Sequence, residues 1–367
     1  MNVFLTGGGT GGHIFPAIAI AQAIQEKEPD AKIHFVGTRY GMETALVPDA
    51  GYPLHTLPIR GFLGKNLGDK LHLLWRLPAS LILAFFLILR YRPKIVIGVG
   101  GYASGPMLLM ASLLRIPTMI QEQNAYPGLT NKLGAKFSRL ACLGFKEADT
   151  YLSCPSIVTG NPVRGMFSGI KAWDPKRPNL LILGGSQGAR SLNQTLPQVL
   201  REVLDEDSDI HVIHQCGKRF IDQVKEAYGD VNFSLQITPF IQDMPQAMNQ
   251  ARLIICRSGA STIAELKLAG VPALLVPFPQ ATGDHQTFNA KSLQESGAGL
   301  LIPEAQLPQA GQQLRELLED PQKLSRMAQA YPQQEGNAAQ TCAAIALELK
   351  NRQEVGDLVS KYSHHVP

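Results

Sequence analysis

Residues 3–17 read Val-Phe-Leu-Thr-Gly-Gly-Gly-Thr-Gly-Gly-His-Ile-Phe-Pro-Ala: an apolar run, a glycine cluster and then a helical pattern. Glycines at a strand-to-helix turn let the main chain approach a ligand closely, and the N–H groups of the incoming helix face an anion. The device returns at Leu180–Leu183, followed by Gly184-Gly185-Ser186-Gln187-Gly188 and a second helix start. Two such turns, well separated along the chain, predict two nucleotide-fold halves facing a central cleft.

The chain has 367 residues, enough for two α/β domains each with its own core. Strands are expected at 2–6, 32–36, 95–99, 118–121, 140–143 and 157–158, then at 180–183, 211–214, 234–237, 253–256, 273–276 and 299–301. Their apolar, β-branched runs show little alternation, which suits parallel strands covered on both faces. Helical stretches such as 17–28 and 191–204 between them make βαβ units, so each half reads as a doubly wound parallel sheet. The expected division is an N-terminal domain over 1–162 and a C-terminal domain over 163–337. An alanine-rich helix at 338–350 and a loose tail over 351–367 follow. Residues 161–178, rich in Gly, Pro and Lys, read as the interdomain linker. A net charge of +4 without a Lys/Arg block gives no case for nucleic acid. The five cysteines show no CxxC or zinc-like spacing, which reads as reduced cytoplasmic thiols. An apolar strand from Asn2 leaves no room for a secretory signal.

Gly7-x-Gly9-x-x-Gly12 formally satisfies the dinucleotide fingerprint, but the acid expected about 20 residues later is missing. The second strand ends Val36-Gly37-Thr38-Arg39. No Gly-Lys-Ser/Thr follows either, so the P-loop reading also fails. A tight turn needed only for packing is the bland alternative. A phosphate cradle without NAD is the better reading. A third glycine-rich turn at 98–105 again follows a strand, and in a doubly wound sheet it would share an edge with turn 7–12. One diphosphate in the first half and another at 184–188 would fit an enzyme joining a nucleotide-sugar to a diphosphate-bearing acceptor.

At that point the residues resemble a known family. GGGTGGHIFPA (7–17), GVGGYASGP (98–106), QEQNAYPGLTNK (121–132), GNPVR (160–164), GGSQGARSLNQ (184–194), CRSGASTIAE (256–265) and GDHQTFNA (283–290) resemble, end to end, the bacterial cell-wall N-acetylglucosaminyltransferases of the GT-B fold, the MurG family. The resemblance implies transfer of GlcNAc from UDP-GlcNAc to the 4-hydroxyl of undecaprenyl-diphosphate-linked MurNAc-pentapeptide (lipid I), with inversion. It implies catalytic roles for His13 as candidate base, Asn124 and Arg164. Donor contacts would fall on Thr10, Gly11, Gly12, Asn124, Arg164, Ser186, Gln187, Gly188, Phe240, Ile241, Ser258, Glu265 and Gln286. Acceptor contacts would fall on Gly9, Thr10, Gly11, His13, Gly101, Tyr102, Ser104 and Glu122. His285-Gln286 departs from a Gln-Gln pair found in other members, which leaves the role of His285 open.

Elementary chemistry asks for the same parts. Inverting transfer needs a base for the attacking hydroxyl and stabilisation of the departing diphosphate. A helix N-terminus at 186–188 and the Arg164 guanidinium suit the leaving group. His13 at a helix start suits a neutral base; its alternatives are an acceptor ligand and a structural histidine. Glu122 is the rival base, with a loop-locking carboxylate as its plainer reading. Ser258-Gly259 and Asp284 resemble helix caps. Asp205-Glu206-Asp207 and Asp207-Ser208-Asp209 match the DxD pattern of metal-using transferases but sit at an acidic turn, so neither a metal nor another cofactor is expected to be required.

Residues 71–89 are apolar, interrupted by His72, Arg76 and Pro78, and leave thirteen residues from Leu77 to Leu89. Spanning takes about 20. Flanking Lys65, Lys70, Arg76, Arg90, Arg92 and Lys94 suit peripheral attachment to an anionic surface, with Leu63, Leu74 and Trp75 entering lipid while 81–89 pack on the sheet. The expected location is the cytoplasmic face of the inner membrane, where other cell-wall synthesis proteins are implied partners. Competing readings are a glycolipid synthase, an NAD-dependent oxidoreductase and a non-catalytic nucleotide-sugar sensor. The cleft is expected to close on donor binding.

Overall fold

The computed structural model describes residues 1–60, 67–163, 171–185, 187–331, 337–351 and 353–363, with only the main chain at 67–74 and 363. Leu63, Arg164 and Ser186 lie outside the described residues, and the Leu74 side chain does too. The chain divides into two compact units, Met1–Gly165 with Gln334–Pro367, and Met166–Gln333.

Unit 1 alternates β1 (Asn2–Gly7), α1 (Gly11–Lys27), β2 (Lys32–Thr38), α2 (Glu43–Asp49), β3 (Leu54–Leu57), α3 (Leu67–Tyr91), β4 (Ile95–Gly100), α4 (Ser104–Leu113), β5 (Thr118–Glu122), α5 (Leu129–Ala135), β6 (Leu140–Leu143) and β7 (Ser156–Val158). Its seven strands are parallel in the order β3-β2-β1-β4-β5-β6-β7. The order reverses between β1 and β4, the switch point beyond whose carboxyl ends open α/β sheets bind ligands. Both glycine turns of this half emerge there. The edge strand β3 was not expected from the sequence: its Leu-His-Thr-Leu is short, half polar and follows Pro53.

Both faces of the sheet are covered. Val3, Leu5, Ile95 and Ile97 pack under α1, and Phe4, Val96 and Ile120 under the α3–α4–α5 side. The first face is completed by α13 (Ala338–Lys350) and α14 (Val355–Ser363). Asn337 caps α13 by accepting the Ala339 N–H at 2.9 Å. Alanines at 339, 343 and 346 are buried, so its backbone can lie close against α1. Lys350 pairs with Glu28 at 2.5 Å. The segment expected as a loose tail carries α14, with Leu358 and Tyr362 buried in the same core.

Unit 2 repeats the plan: β8 (Asn179–Leu183), α6 (Arg190–Val203), β9 (His211–Gln215), α7 (Ile221–Tyr228), β10 (Ser234–Thr238), α8 (Met244–Asn249), β11 (Ala251–Cys256), α9 (Ala260–Ala269), β12 (Ala273–Leu275), α10 (His285–Glu295), β13 (Gly299–Leu301), α11 (Gly311–Glu319) and α12 (Pro321–Gln329). The six parallel strands run β10-β9-β8-β11-β12-β13, with the switch point between β8 and β11. Residues 171–178, read as linker, are built into this unit. The Trp173 indole donates to Arg252 O at 3.1 Å, and the Arg177 guanidinium donates to the carbonyls of Lys171, Ala172 and Met248. An indole and a guanidinium each need partners once buried, and main-chain carbonyls supply them here.

Candidate active site

In unit 1, the turns at 7–12 and 98–105 meet at the β1/β4 switch point. The Gly8 N–H donates to Gly100 O at 3.2 Å. A Cβ on Gly101, whose φ is +85°, would lie 2.5 Å from Gly8 O, so only glycine allows this approach. Ser104, expected at the acceptor, is instead fully buried, with its hydroxyl 2.7 Å from Thr6 O and 3.0 Å from Gly100 O. It ties the second turn to β1.

His13 occupies the first turn of α1. Its Nδ1 lies 3.1 Å from Gly8 O and 3.4 Å from Thr10 Oγ1. A carbonyl can only accept, so Nδ1 is the donor of this bond, and in a neutral ring the lone pair is then on Nε2. That nitrogen sits 2.9 Å from the position a Gly100 Cβ would take, and Asn131 Nδ2 is 3.6 Å from the same point. Thr10, Gly9 and Gly12 are exposed around it, and Tyr102 is half-buried on the facing turn.

Glu122 is buried behind this site and accepts four hydrogen bonds: from Asn124 N–H (2.9 Å) and Nδ2 (3.2 Å), Gly128 N–H (3.2 Å) and Asn131 Nδ2 (2.9 Å). Burial raises its pKa, and those donors pull the other way. Its surroundings fit the loop-locking reading rather than the rival base. Asn124 is thereby fixed beside the turn with part of its side chain exposed. Sequence reading missed two members of this half. Asn131 is one. The other, Glu43, is 1% exposed and takes the Gly9 N–H at 2.7 Å.

In unit 2, the described residues of the turn after β8 are braced by side-chain amides, while Ser191 in the first turn of α6 donates to the Glu304 carboxylate at 2.6 Å. Gln215 Nε2 donates to Gly185 O at 3.2 Å, and Asn193 Nδ2 to Cys216 O at 2.9 Å. Behind them His214 is buried between Asn193 Oδ1 and the Tyr228 hydroxyl, each at 3.0 Å. Burial lowers its pKa to about 4, so it is neutral near pH 7. A Cβ on Gly188 (φ +77°) would lie 2.0 Å from Cys216 O. Gln187 is exposed at the head of this turn, just before α6.

Beyond β11 the second loop set converges. The Ser258 hydroxyl donates to Gln286 O at 2.8 Å, so it ties the loop after β11 to the first turn of α10 and does not cap α9. Asn289 Nδ2 donates to Ser258 O at 3.1 Å, and Gln286 Oε1 accepts the Phe278 N–H at 2.9 Å. Asp284 stands at the N-cap position of α10 but accepts the Thr287 hydroxyl, not a helix N–H. His285 Nδ1 lies 2.7 Å from Thr282 O, which gives this residue a loop-bracing contact. Glu265 is half-buried on α9, near enough to Cys256 to help raise that thiol's pKa. Phe240 is exposed, and its carbonyl accepts the Thr238 hydroxyl at 3.0 Å, beside half-buried Ile241. Arg257 was not expected: its guanidinium braces the loop after β12 through Val276 O and Pro277 O and pairs with Glu304.

The acidic turn at 205–209 is solvent-facing, and Asp209 receives both terminal nitrogens of Arg252, at 3.0 and 2.7 Å. That pairing lowers the Asp209 pKa. Among the described residues no group of three or more His, Cys, Asp or Glu gathers as a metal site would need.

Comparison with known proteins bears on both units. Residues 3–141 match the glycosyltransferase family 28 N-terminal domain, and residues 179–342 match the C-terminal domain of the same family. The chain is 41% identical over 334 residues to the UDP-N-acetylglucosamine–N-acetylmuramyl-(pentapeptide) pyrophosphoryl-undecaprenol N-acetylglucosamine transferase of Syntrophotalea carbinolica, covering 90% of this chain and 93% of the relative. The transferase of the same name from Alkalilimnicola ehrlichii is 41% identical over 366 residues, covering 95% and 99%. The crystal structure of MurG from Acinetobacter baumannii superposes with a TM-score of 0.81 at 33% identity, covering 95% of this chain and 99% of that one. The glycotransferase of kitacinnamycin, at 16% identity and a TM-score of 0.67 over 96% of this chain and 99% of its own, shares the fold. With two matched domains and relatives alike over nearly their whole length, the chain belongs to glycosyltransferase family 28, among the UDP-N-acetylglucosamine–N-acetylmuramyl-(pentapeptide) pyrophosphoryl-undecaprenol N-acetylglucosamine transferases.

Proposed function

We propose that this protein transfers N-acetylglucosamine from UDP-GlcNAc to the C4 hydroxyl of MurNAc-pentapeptide-diphosphoryl-undecaprenol, giving the β(1→4)-linked disaccharide lipid II. The observation that carries the reading is the 41% identity to transferases of that name across 95% of the chain. Unit 2 takes the donor: the α6 N-terminus after Gln187-Gly188 meets the diphosphate, Glu265 the ribose hydroxyls and Gln286 the sugar. Unit 1 takes the acceptor, with the α1 N-terminus at Gly11 and Gly12 toward its diphosphate. His13 Nε2 removes the C4 proton as that oxygen attacks the anomeric carbon and UDP leaves with the bonding pair. The attacking oxygen must come within about 3–3.5 Å of that carbon. Ser186 and Arg164 are assigned to the donor diphosphate by family resemblance.

The leaving group is stabilised by the dipole of α6 and a guanidinium, so no resident metal is needed in this scheme. The DxD-like acids support it, since Asp209 is already paired with Arg252. Incubating the purified full chain with UDP-GlcNAc and a short-chain lipid I analogue in EDTA tests both points. Formation of the disaccharide product is expected. Donor binding without turnover would favour a nucleotide-sugar sensor.

The lipid-linked acceptor is met at a membrane surface, and α3 supports this. Ile82, Phe86 and Leu89 share one helix face at i, i+4, i+7 spacing and are exposed, as are Trp75 and Leu83. Only Ala84 and Ile88 of the 81–89 stretch are fully turned to the sheet, so more of it faces outward than the sequence predicted. Among the described residues no helix is long and apolar enough to cross a membrane. The helix ends at Tyr91, with Arg90 in its last turn and Arg92 and Lys94 just beyond, and a cavity of about 340 Å³ in the α4–α5 layer is lined by Arg115, Lys136 and Arg139 with no carboxylate. This combination suits peripheral attachment to anionic lipid on the cytoplasmic face. Vesicle flotation should show binding that rises with anionic lipid and falls with salt; equal binding to neutral vesicles at all salt levels would overturn the electrostatic part.

A further inference from the structure

We propose that Glu43 is a positioning residue for the transfer step and acts on His13 through the one peptide group joining Gly8 to Gly9. The inference rests on His13 serving as the base. The Gly9 N–H donates to Glu43 Oε2 at 2.7 Å, and the Gly8 carbonyl of that same amide accepts from His13 Nδ1 at 3.1 Å. Carboxylate and imidazole therefore bond opposite ends of a single amide. An N–H held by a carboxylate shifts electron density toward its own carbonyl oxygen, and hydrogen bonds chained this way strengthen one another. Gly8 O becomes a better acceptor. It holds the Nδ1–H tautomer, aims the Nε2 lone pair outward and stabilises the imidazolium that forms once the sugar hydroxyl's proton arrives. The logic is that of a base oriented by a third group, with a backbone amide interposed.

The surroundings of Glu43 are built for this. Its Oε1 accepts the Thr38 N–H at 2.9 Å and the Thr38 hydroxyl at 2.8 Å, so every neighbour donates and none supplies a counter-charge. A Cβ on Gly8, Gly37 or Gly41 would fall 2.5, 2.7 or 2.0 Å from the Glu43 side chain. Three glycines in separate segments thus clear room for one carboxylate. Among the described residues, Glu122 stands behind Asn131 and Tyr102 lies on the turn at 98–105; Gly100 and Asn131 bring no charge.

The test is the pH dependence of kcat for Glu43→Gln in the full chain, with UDP-GlcNAc and a lipid I analogue. Glutamine keeps an acceptor for Gly9 but removes the charge. We expect kcat to fall roughly tenfold and the acid limb of kcat to move down by about one pH unit, with the UDP-GlcNAc KM changed by less than about twofold. Thr38→Val, which loosens the other carboxylate oxygen and spares the Gly9 bond, should leave that limb in place. A wild-type acid limb in Glu43→Gln, or an equal shift in Thr38→Val, overturns the proposal. Should Glu43→Gln not fold, ¹⁵N-histidine spectra of the wild-type protein decide: the Nδ1–H tautomer at His13 supports it, and Nε2–H sinks it. The base reading fails separately, through a His13→Ala variant that keeps its kcat.

Discussion

The two halves carry the same strand–glycine–helix signature yet hold it by opposite electrostatics. In unit 1 a buried carboxylate, Glu43, sits beneath the turn and takes one of its N–H groups. In unit 2 neutral amides brace the turn, Gln215 at the carbonyl of Gly185 and Asn193 at that of Cys216. A carboxylate beneath the first turn takes up its Gly9 N–H, whereas the amides of the second act on main-chain carbonyls. The first is suited to orienting a base beside a hydroxyl, with the acceptor diphosphate left to the α1 N-terminus at Gly11 and Gly12, and the second to receiving a departing diphosphate. Near-identical motifs need not do identical work.

If the turns differ in this way, damage to the first should act on rate and damage to the second on donor affinity. His13→Ala is expected to lower kcat by roughly 10²–10⁴-fold with the UDP-GlcNAc KM nearly unchanged, read by steady-state assay. A near-normal kcat would break the contrast outright. Gly188→Ala forces a Cβ to within 2.0 Å of Cys216 O at a left-handed φ. It should displace the α6 N-terminus and weaken UDP binding by roughly tenfold or more, by calorimetry, since even small misplacements are costly. Glu265→Ala should raise the donor KM by about fivefold to tenfold with a smaller fall in kcat, because ribose contacts act alike in ground and transition states.

The smallest effect is on stability. Burial lowers the His214 pKa to about 4 in the folded chain, against the ordinary 6.5 of an exposed histidine. The unfolded chain therefore binds the extra proton first, and unit 2 should lose stability as pH falls from about 6.5 toward about 4, by up to about 3 kcal/mol. A Trp75→Phe background leaves Trp173, which is packed on the unit 2 core, to report unfolding in urea. A His214→Gln variant should flatten that pH dependence. No such dependence in the parent would mean the neutral amide bracing is not coupled to this imidazole.

The architecture was legible because parallel strands buried on both faces are written as unbroken apolar runs. Twelve of the thirteen strands were placed within a residue or two. The exception, β3, lies at an edge where pattern is weakest, and α14 was hidden by polar residues on its outer side. Glycine turns and polar loops were equally readable as motifs. What the sequence does not announce is which side chain serves which loop. Glu43 stands 34 residues from Gly9, and Asn131 nine residues from Glu122. Such partners become visible only when the sheet order sets β1 beside β2 and β4. Ser104 and Ser258 show the converse: a hydroxyl in a glycine-rich motif reads as a ligand contact, and its main-chain partner, Thr6 O or Gln286 O, is not written in the motif.

Because α13 and α14 complete the core begun by α1, unit 2 is in effect an insertion within unit 1. On the ribosome, the earlier half must wait, with one flank of its sheet uncovered, until residues 337–363 are made. The later half can mature first. Shortening the polypeptide from that terminus should therefore harm the acceptor half and spare the nucleotide half.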